Sequence, residues 1–157
     1  MIIVEGIDRV GKTTLVNLLK EKTGLPVIED KYIYNDLSNR CNMAANTEKI
    51  QTIINMSRDV SDKFIADRLH WSEYVYGFFD RGYQNKKVFE LEKQLVDLNA
   101  KIILVVPTDI KESSRQHGKD LSKYNNAFNG LYLNTRLDKF KCNYNSLNEA
   151  VEWAVEK

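Results

Sequence analysis

The sequence predicts an α/β fold, a parallel sheet with helices on both faces. Short apolar runs alternate with helical patterns along the chain, as βαβ units require. The first apolar run meets a glycine-bounded loop, and a helical pattern follows at once. Lys101–Val106, in KIILVVPTD, is a continuous apolar run of the kind that a sheet buries on both faces.

The elements follow in order. Met1–Glu5 reads as the first strand, and Leu15, Leu18 and Leu19 give the face of the helix after the loop. Gly24 ends that helix, and Pro26-Val27-Ile28 is a short second strand. From Thr47, Ile50, Ile53, Ile54 and Val60 recur at helical spacing. Lys63–Asp67 is the third strand and closes on Asp67-Arg68. Val88, Leu91, Leu95 and Leu98 mark a further helix. Lys101–Val106 is the fourth strand, closed by Pro107, and Asp109 is placed to cap the helix after it. Phe140–Tyr144 is a weak last strand, and Leu147, Ala150, Val151, Ala154 and Val155 form an amphipathic terminal helix.

Ligands on such a sheet bind beyond the carboxyl ends of its strands. Gly6–Thr13, Glu29–Lys31, Asp67–Arg68 and Pro107–Asp109 all fall there.

With 157 residues, the chain is expected to form one domain over 1–157. Apolar residues make up 43% and charged residues 29%, as in ordinary globular proteins. A net charge of +1 argues against wrapping nucleic acid by charge alone. No apolar run approaches the roughly 20 residues that span a bilayer, so no membrane partner is expected. The start of the chain has no signal-peptide pattern. Cys41 and Cys142 suit a reducing compartment and have no metal-ligand spacing, which points to the cytoplasm.

The spacing G-x-x-x-x-G-K-T over Gly6–Thr13 is that of a phosphate-binding loop. Its glycines let successive N–H groups turn inward on phosphate oxygens, and the helix N-terminus adds its positive end. Gly6, Asp8, Arg9, Val10, Gly11, Lys12, Thr13 and Thr14 would surround the phosphates of ATP. Lys12 would reach the β- and γ-phosphates, and the Thr13 hydroxyl would ligate Mg²⁺. The base-reading N-K-x-D of a GTPase switch does not occur, and the chain is short for a motor or helicase core. Phosphoryl transfer to a small molecule remains, where catalysis is mostly positioning and charge neutralisation. An anionic second substrate then needs cations near the γ-phosphate, and Arg9 and Arg68 fit that need.

GIDRVGKTT, followed by a strand ending in DRLHWSEYVYG, resembles the thymidylate kinases and their relatives among deoxynucleoside monophosphate and deoxynucleoside kinases. The resemblance implies a three-layer α/β/α P-loop kinase fold, an about five-stranded sheet, a short lid near 111–124 and a homodimer. One branch of the family has G-x-D-R-x-G-K-[ST], which Gly6–Thr13 matches position by position. Asp8 is thereby expected on the sugar hydroxyl of the acceptor, and Arg9 between donor and acceptor phosphates. A planar guanidinium with five donors suits that bridging role better than an ammonium does.

In Asp67-Arg68 the family pattern places the arginine on the acceptor phosphate and the aspartate near Mg²⁺. Leu69 stands where the family usually has an aromatic residue. Ser72–Tyr76 fits the stretch S-x-x-x-Y, with Tyr76 against the nucleoside. Ser113–Asp120 occupies the place of the lid. There Arg115 would stack on adenine or reach a phosphate, Lys119 would close over the γ-phosphate, and Gly118 would serve as a hinge.

Two departures leave the acceptor open. Between the second strand and Asp67 the chain is shorter than most thymidylate kinases, and either Arg40 or Arg58 could read the base. The second strand ends on Glu29-Asp30-Lys31, where nucleotide kinases tend to place an arginine. A carboxylate there serves nucleoside kinases as general base on a 5′-hydroxyl. The expected reaction is phosphorylation of a deoxynucleoside monophosphate, with dTMP the first expectation. Phosphorylation of a deoxynucleoside, with Glu29 or Asp30 as base, is the alternative. A kinase acting on modified DNA bases and a nucleotide-binding module without turnover come after it.

Overall fold

The computed structural model describes residues 1–29, 39–59 and 63–156, with the main chain alone at 39–41. Its sheet has five strands in the order β2-β3-β1-β4-β5, every neighbouring pair parallel. The elements are β1 (Ile2–Glu5), α1 (Lys12–Thr23), β2 (Val27–Glu29), α2 (Asn39–Asp59), β3 (Ile65–Asp67), α3 (His70–Asp80) and α4 (Val88–Asp97). They continue with β4 (Lys101–Val105), α5 (Ile110–His117), α6 (Ser122–Asn134), β5 (Asp138–Cys142) and α7 (Leu147–Val155), a short 3₁₀ turn at Tyr144–Ser146 preceding the last. Helix α1 packs with α7, while α3 packs with α4 and α6 and α2 with α4, so helices flank the sheet as layers. The fold is three-layer α/β/α.

The apolar runs occupy the centre. Ile3 and Val4 of β1, Ile65 and Ala66 of β3 and Ile102–Val105 of β4 have no exposed surface. Parallel strands covered on both faces carry continuous apolar residues, which is why β4 was the plainest strand in the sequence. Gly6 follows β1 with φ 142, and a Cβ there would run into the carbonyl oxygen of Val105. Only glycine lets the loop leave β1 so close to β4. The registers Glu29↔Asp67, Val4↔Asp67, Glu5↔Leu104 and Val105↔Cys142 level the strand ends, so one rim holds every loop of the site.

Element boundaries differ from the sequence reading at several places. Helix α2 begins at Asn39, well before Thr47, because its buried face there is polar, with Asn42 and Asn46, and carries no apolar period. Helix α6 occupies Ser122–Asn134, so the stretch expected as lid up to 124 runs into a helix that buries Tyr124 and Phe128. Strand β5 covers Asp138–Cys142 instead of Phe140–Tyr144. Among the described residues it pairs only with β4, it alternates polar residues, and the side chain of Asn143 caps the turn that follows, which ends the strand before Tyr144. Leu98 and Val106 lie just past the elements they were expected to close. Asp30, Lys31 and Val60 fall outside the described residues, as do the side chains of Arg40 and Cys41. Among the described residues no helix is long and apolar enough to cross a membrane.

Candidate active site

A cleft of about 580 Å³ opens on the rim, lined by the loop 8–13, Asp67 and Arg68 at the end of β3, Pro107–Asp109 after β4, the face of α5, and Tyr144 and Asn145 after β5. Helix α1 starts at Lys12, directly behind Gly11 in the left-handed region with φ 106. Thr13 and Thr14 are exposed in its first turn. That turn contains no acidic residue and its cap makes no side-chain hydrogen bond, so its N–H groups are left for a ligand.

Lys12 is buried and folds back to donate to the Ile7 carbonyl. Burial, with Arg68 nearby, pushes its ammonium down to about 8, against the pull of Asp8, Asp67 and Glu5. A buried cation hydrogen-bonded to a carbonyl is poised to exchange that partner for an anionic oxygen.

Asp8 and Arg68 meet across the cleft. Arg68 Nη2 donates to Asp8 Oδ1, and His117 Nε2 lies 3.4 Å from Asp8 Oδ2. Burial works against the Asp8 carboxylate, but Arg68, Lys12 and His117 outweigh it and hold the group below its ordinary range. Arg68 has φ 68, a left-handed conformation outside glycine's usual territory, and its N–H bonds the Val4 carbonyl. That backbone turn sends the guanidinium over the loop, where it also lies 5.4 Å from the centre of the Tyr76 ring. Tyr76 is buried against Tyr124 and Phe128, and burial raises its hydroxyl's pKa.

Arg9 is the second residue of the loop in the left-handed region, with φ 59. It is exposed at the mouth and donates from Nη1 to the Gln116 carbonyl at 3.4 Å. Asp67 is half-buried; burial raises its carboxyl, with Glu29 adding to the shift and Lys12 and Arg68 opposing it.

Glu5 holds this arrangement from below and was not singled out in the sequence. It has no exposed surface, and its carboxylate accepts from the N–H groups of Leu69, Trp71 and Ser72 and from the Ser72 hydroxyl. It therefore caps α3 and fixes the turn that carries Arg68. The available signal was a carboxylate closing an apolar strand, immediately before Gly6.

Tyr144 and Asn145 also escaped the sequence reading, because Tyr144 was assigned to a strand. The Tyr144 ring packs on Gly11, where a Cβ would stand 2.9 Å from its Cδ2. Several expected site residues do not line the cleft, Gly6, Thr14 and Tyr76 among them. Arg115 is exposed and paired in fork fashion with Glu112, at 2.9 and 2.7 Å. Lys119 lies over the Tyr124 ring, 4.0 Å from Asp80. Arg58 bonds Gln94 of α4 at 3.1 Å. Glu29 is exposed at the end of β2, level with Asp67.

No protein-family model and no curated protein matches the sequence. Solved structures do match the fold. The YorR protein from Bacillus subtilis, in complex with phosphorylated GDP, is 20% identical over 98% of this chain and 92% of that one, with a TM-score of 0.74. Thymidylate kinase from Ehrlichia chaffeensis is 17% identical over 97% and 96%, with a TM-score of 0.63. Deoxyadenosine kinase from M. mycoides with bound dATP is 11% identical over 99% of each chain, with a TM-score of 0.64. The chain has the α/β fold of the P-loop nucleotide and nucleoside kinases.

Proposed function

We propose that the chain is an ATP- and Mg²⁺-dependent kinase of deoxynucleoside monophosphates, with dTMP the first candidate acceptor. One observation carries this reading: beside Lys12 of the loop, two guanidiniums, Arg9 and Arg68, line the same cleft, where they can hold a second phosphate next to that of the donor. An acceptor that brings its own phosphate supplies that second anion. Arg68 leaves Asp8 for that phosphate, and Asp8 then takes the sugar hydroxyl. An oxygen of the acceptor phosphate attacks the γ-phosphorus, ADP departs, and Arg9 spans the two phosphates as charge moves between them.

The donor set suits Mg²⁺. Among the described residues no group of three or more His, Cys, Asp or Glu side chains could hold a metal by itself. Thr13 and Asp67 nevertheless face the cleft together, and one hydroxyl and one carboxylate, completed by phosphate oxygens and water, make a fitting Mg²⁺ set. When bound, the ion neutralises charge on the transferring phosphoryl group.

The same proposal takes the chain as one domain with a lid near 111–124, a homodimer, and a cytoplasmic protein. Glu29 supports a second reading. Its carboxylate stands level with Asp67, where it can serve as base for a nucleoside 5′-hydroxyl.

ADP release should be measured with ATP and Mg²⁺ against the four deoxynucleosides and the four deoxynucleoside monophosphates separately. Turnover with monophosphates alone is the expected result. Turnover with nucleosides alone would replace it with the second reading. Silence on all eight, with ATP binding intact, would overturn both.

A further inference from the structure

Asp8 and Arg9 of the loop meet two successive residues at the end of α5. His117 Nε2 lies 3.4 Å from Asp8 Oδ2, and the Gln116 carbonyl accepts from Arg9 Nη1 at 3.4 Å. Helix α5 stops there because Gly118, with φ 78, turns its N–H back onto the Ser114 and Arg115 carbonyls. His117 is thus the last helical residue of α5. Its Nδ1 is shielded from solvent and has no hydrogen-bond partner among the described residues.

Two other cations of the segment face elsewhere. Arg115 is held by Glu112, and Lys119 sits over Tyr124. The Asp8 carboxylate consequently has Arg68 on one oxygen and the α5 imidazole on the other.

We propose that His117 is the positioning residue through which segment 110–121 is held over the acceptor side of the site, acting through Asp8. This rests on the kinase reading above for its kinetic consequence, though not for the contact itself. When an acceptor phosphate draws Arg68 away, Asp8 keeps the His117 imidazole as a polar partner. The segment then stays over the acceptor while the carboxylate receives the sugar hydroxyl. His117 touches no reacting atom in this account. Its loss weakens acceptor use and leaves ATP use alone.

Two measurements on the full chain test this. In steady-state kinetics His117→Ala is expected to raise the acceptor KM about tenfold, with the ATP KM within about twofold, as for the loss of one charge-assisted hydrogen bond. His117→Gln, whose amide can still donate to Asp8, is expected to restore most of the loss. In an Asp8→Asn background His117→Ala should add nothing. Equal shifts in both KM values, or no shift in either, overturn the proposal.

Amide hydrogen exchange without any acceptor gives a readout independent of turnover. His117→Ala should speed exchange across 110–121 and leave β1, β3 and β4 unchanged. Unchanged exchange in that segment overturns the latch even if the chain is a kinase. Faster exchange there, in a chain that phosphorylates none of the acceptors, sustains the latch and defeats the kinase reading.

Discussion

Arg68 donates to Asp8 across a separation of 60 residues, joining the end of β3 to the phosphate loop after β1. On the reading proposed above, these are the acceptor-side residues of the two sequence motifs, and their ion pair stands where the anionic acceptor would bind. The pair is partly exposed, so its own stabilising effect is small, within about 1 kcal/mol.

The backbone at Arg68 makes a separable prediction. A left-handed φ at a residue with a Cβ costs roughly 1 kcal/mol, which glycine avoids. Arg68→Ala and Arg68→Gly should both raise the acceptor KM at least tenfold, since each removes the guanidinium. Chemical denaturation should nevertheless find the glycine variant about 1 kcal/mol more stable than the alanine variant. Equal stability would show that the turn carries no strain.

Lys12 predicts a proton uptake. Its ammonium, pushed down to about 8 by burial, is part neutral near that pH in the free protein. Phosphate oxygens favour the charged form and raise the pKa again. Titration calorimetry with an ATP analogue in two buffers should show uptake of roughly half a proton at pH 8 and almost none at pH 6. Lys12→Met should remove the uptake. The sign for stability follows. A base whose folded pKa is lowered weakens the fold while it is protonated, so this penalty applies below about 8 and is relieved as the pH rises toward 10.5.

Much of this was legible because the carboxyl-end loops are punctuated by residue types with few alternatives. Gly6, Gly11 and Lys12 announced the loop, and Asp67-Arg68 closed a plainly apolar strand. The parts that stayed hidden depend on contacts distant in sequence. Helix α2 buries asparagines, which carry no apolar period, and β5 has only one strand beside it, so its alternation is mostly polar. Arg115 looked like a ligand by its position, but Glu112 one turn earlier claims it. Glu5 showed no role until the turn at 68–72 folded back onto it.

Glu5 also gives the largest expected stability effect. Glu5→Ala would strand the N–H groups of Leu69, Trp71 and Ser72 and leave a void beneath Arg68. A loss of about 3 kcal/mol is expected, read as a lower denaturation midpoint with the slope unchanged. ATP-analogue affinity should fall less than acceptor affinity, because the loop amides do not depend on this cap. A neutral substitution would show that Glu5 does not organise the turn.

Arg9 separates binding from transfer. It is exposed and its side chain supports no core, so Arg9→Ala should leave stability within about 0.5 kcal/mol of the parent. Turnover should fall by about a thousandfold, the scale expected when a cation on the transferring group is removed, with ATP binding kept. Loss of ATP binding in parallel with turnover would make Arg9 a donor-binding residue.

The central claim is that this cleft transfers phosphate to an acceptor already bearing one. The most direct measurement supplies γ-labelled ATP and Mg²⁺ with dTMP and thymidine together at equal concentration and separates the labelled products. The account predicts label in dTDP, with no label in dTMP. Label in dTMP, made from thymidine, would contradict it.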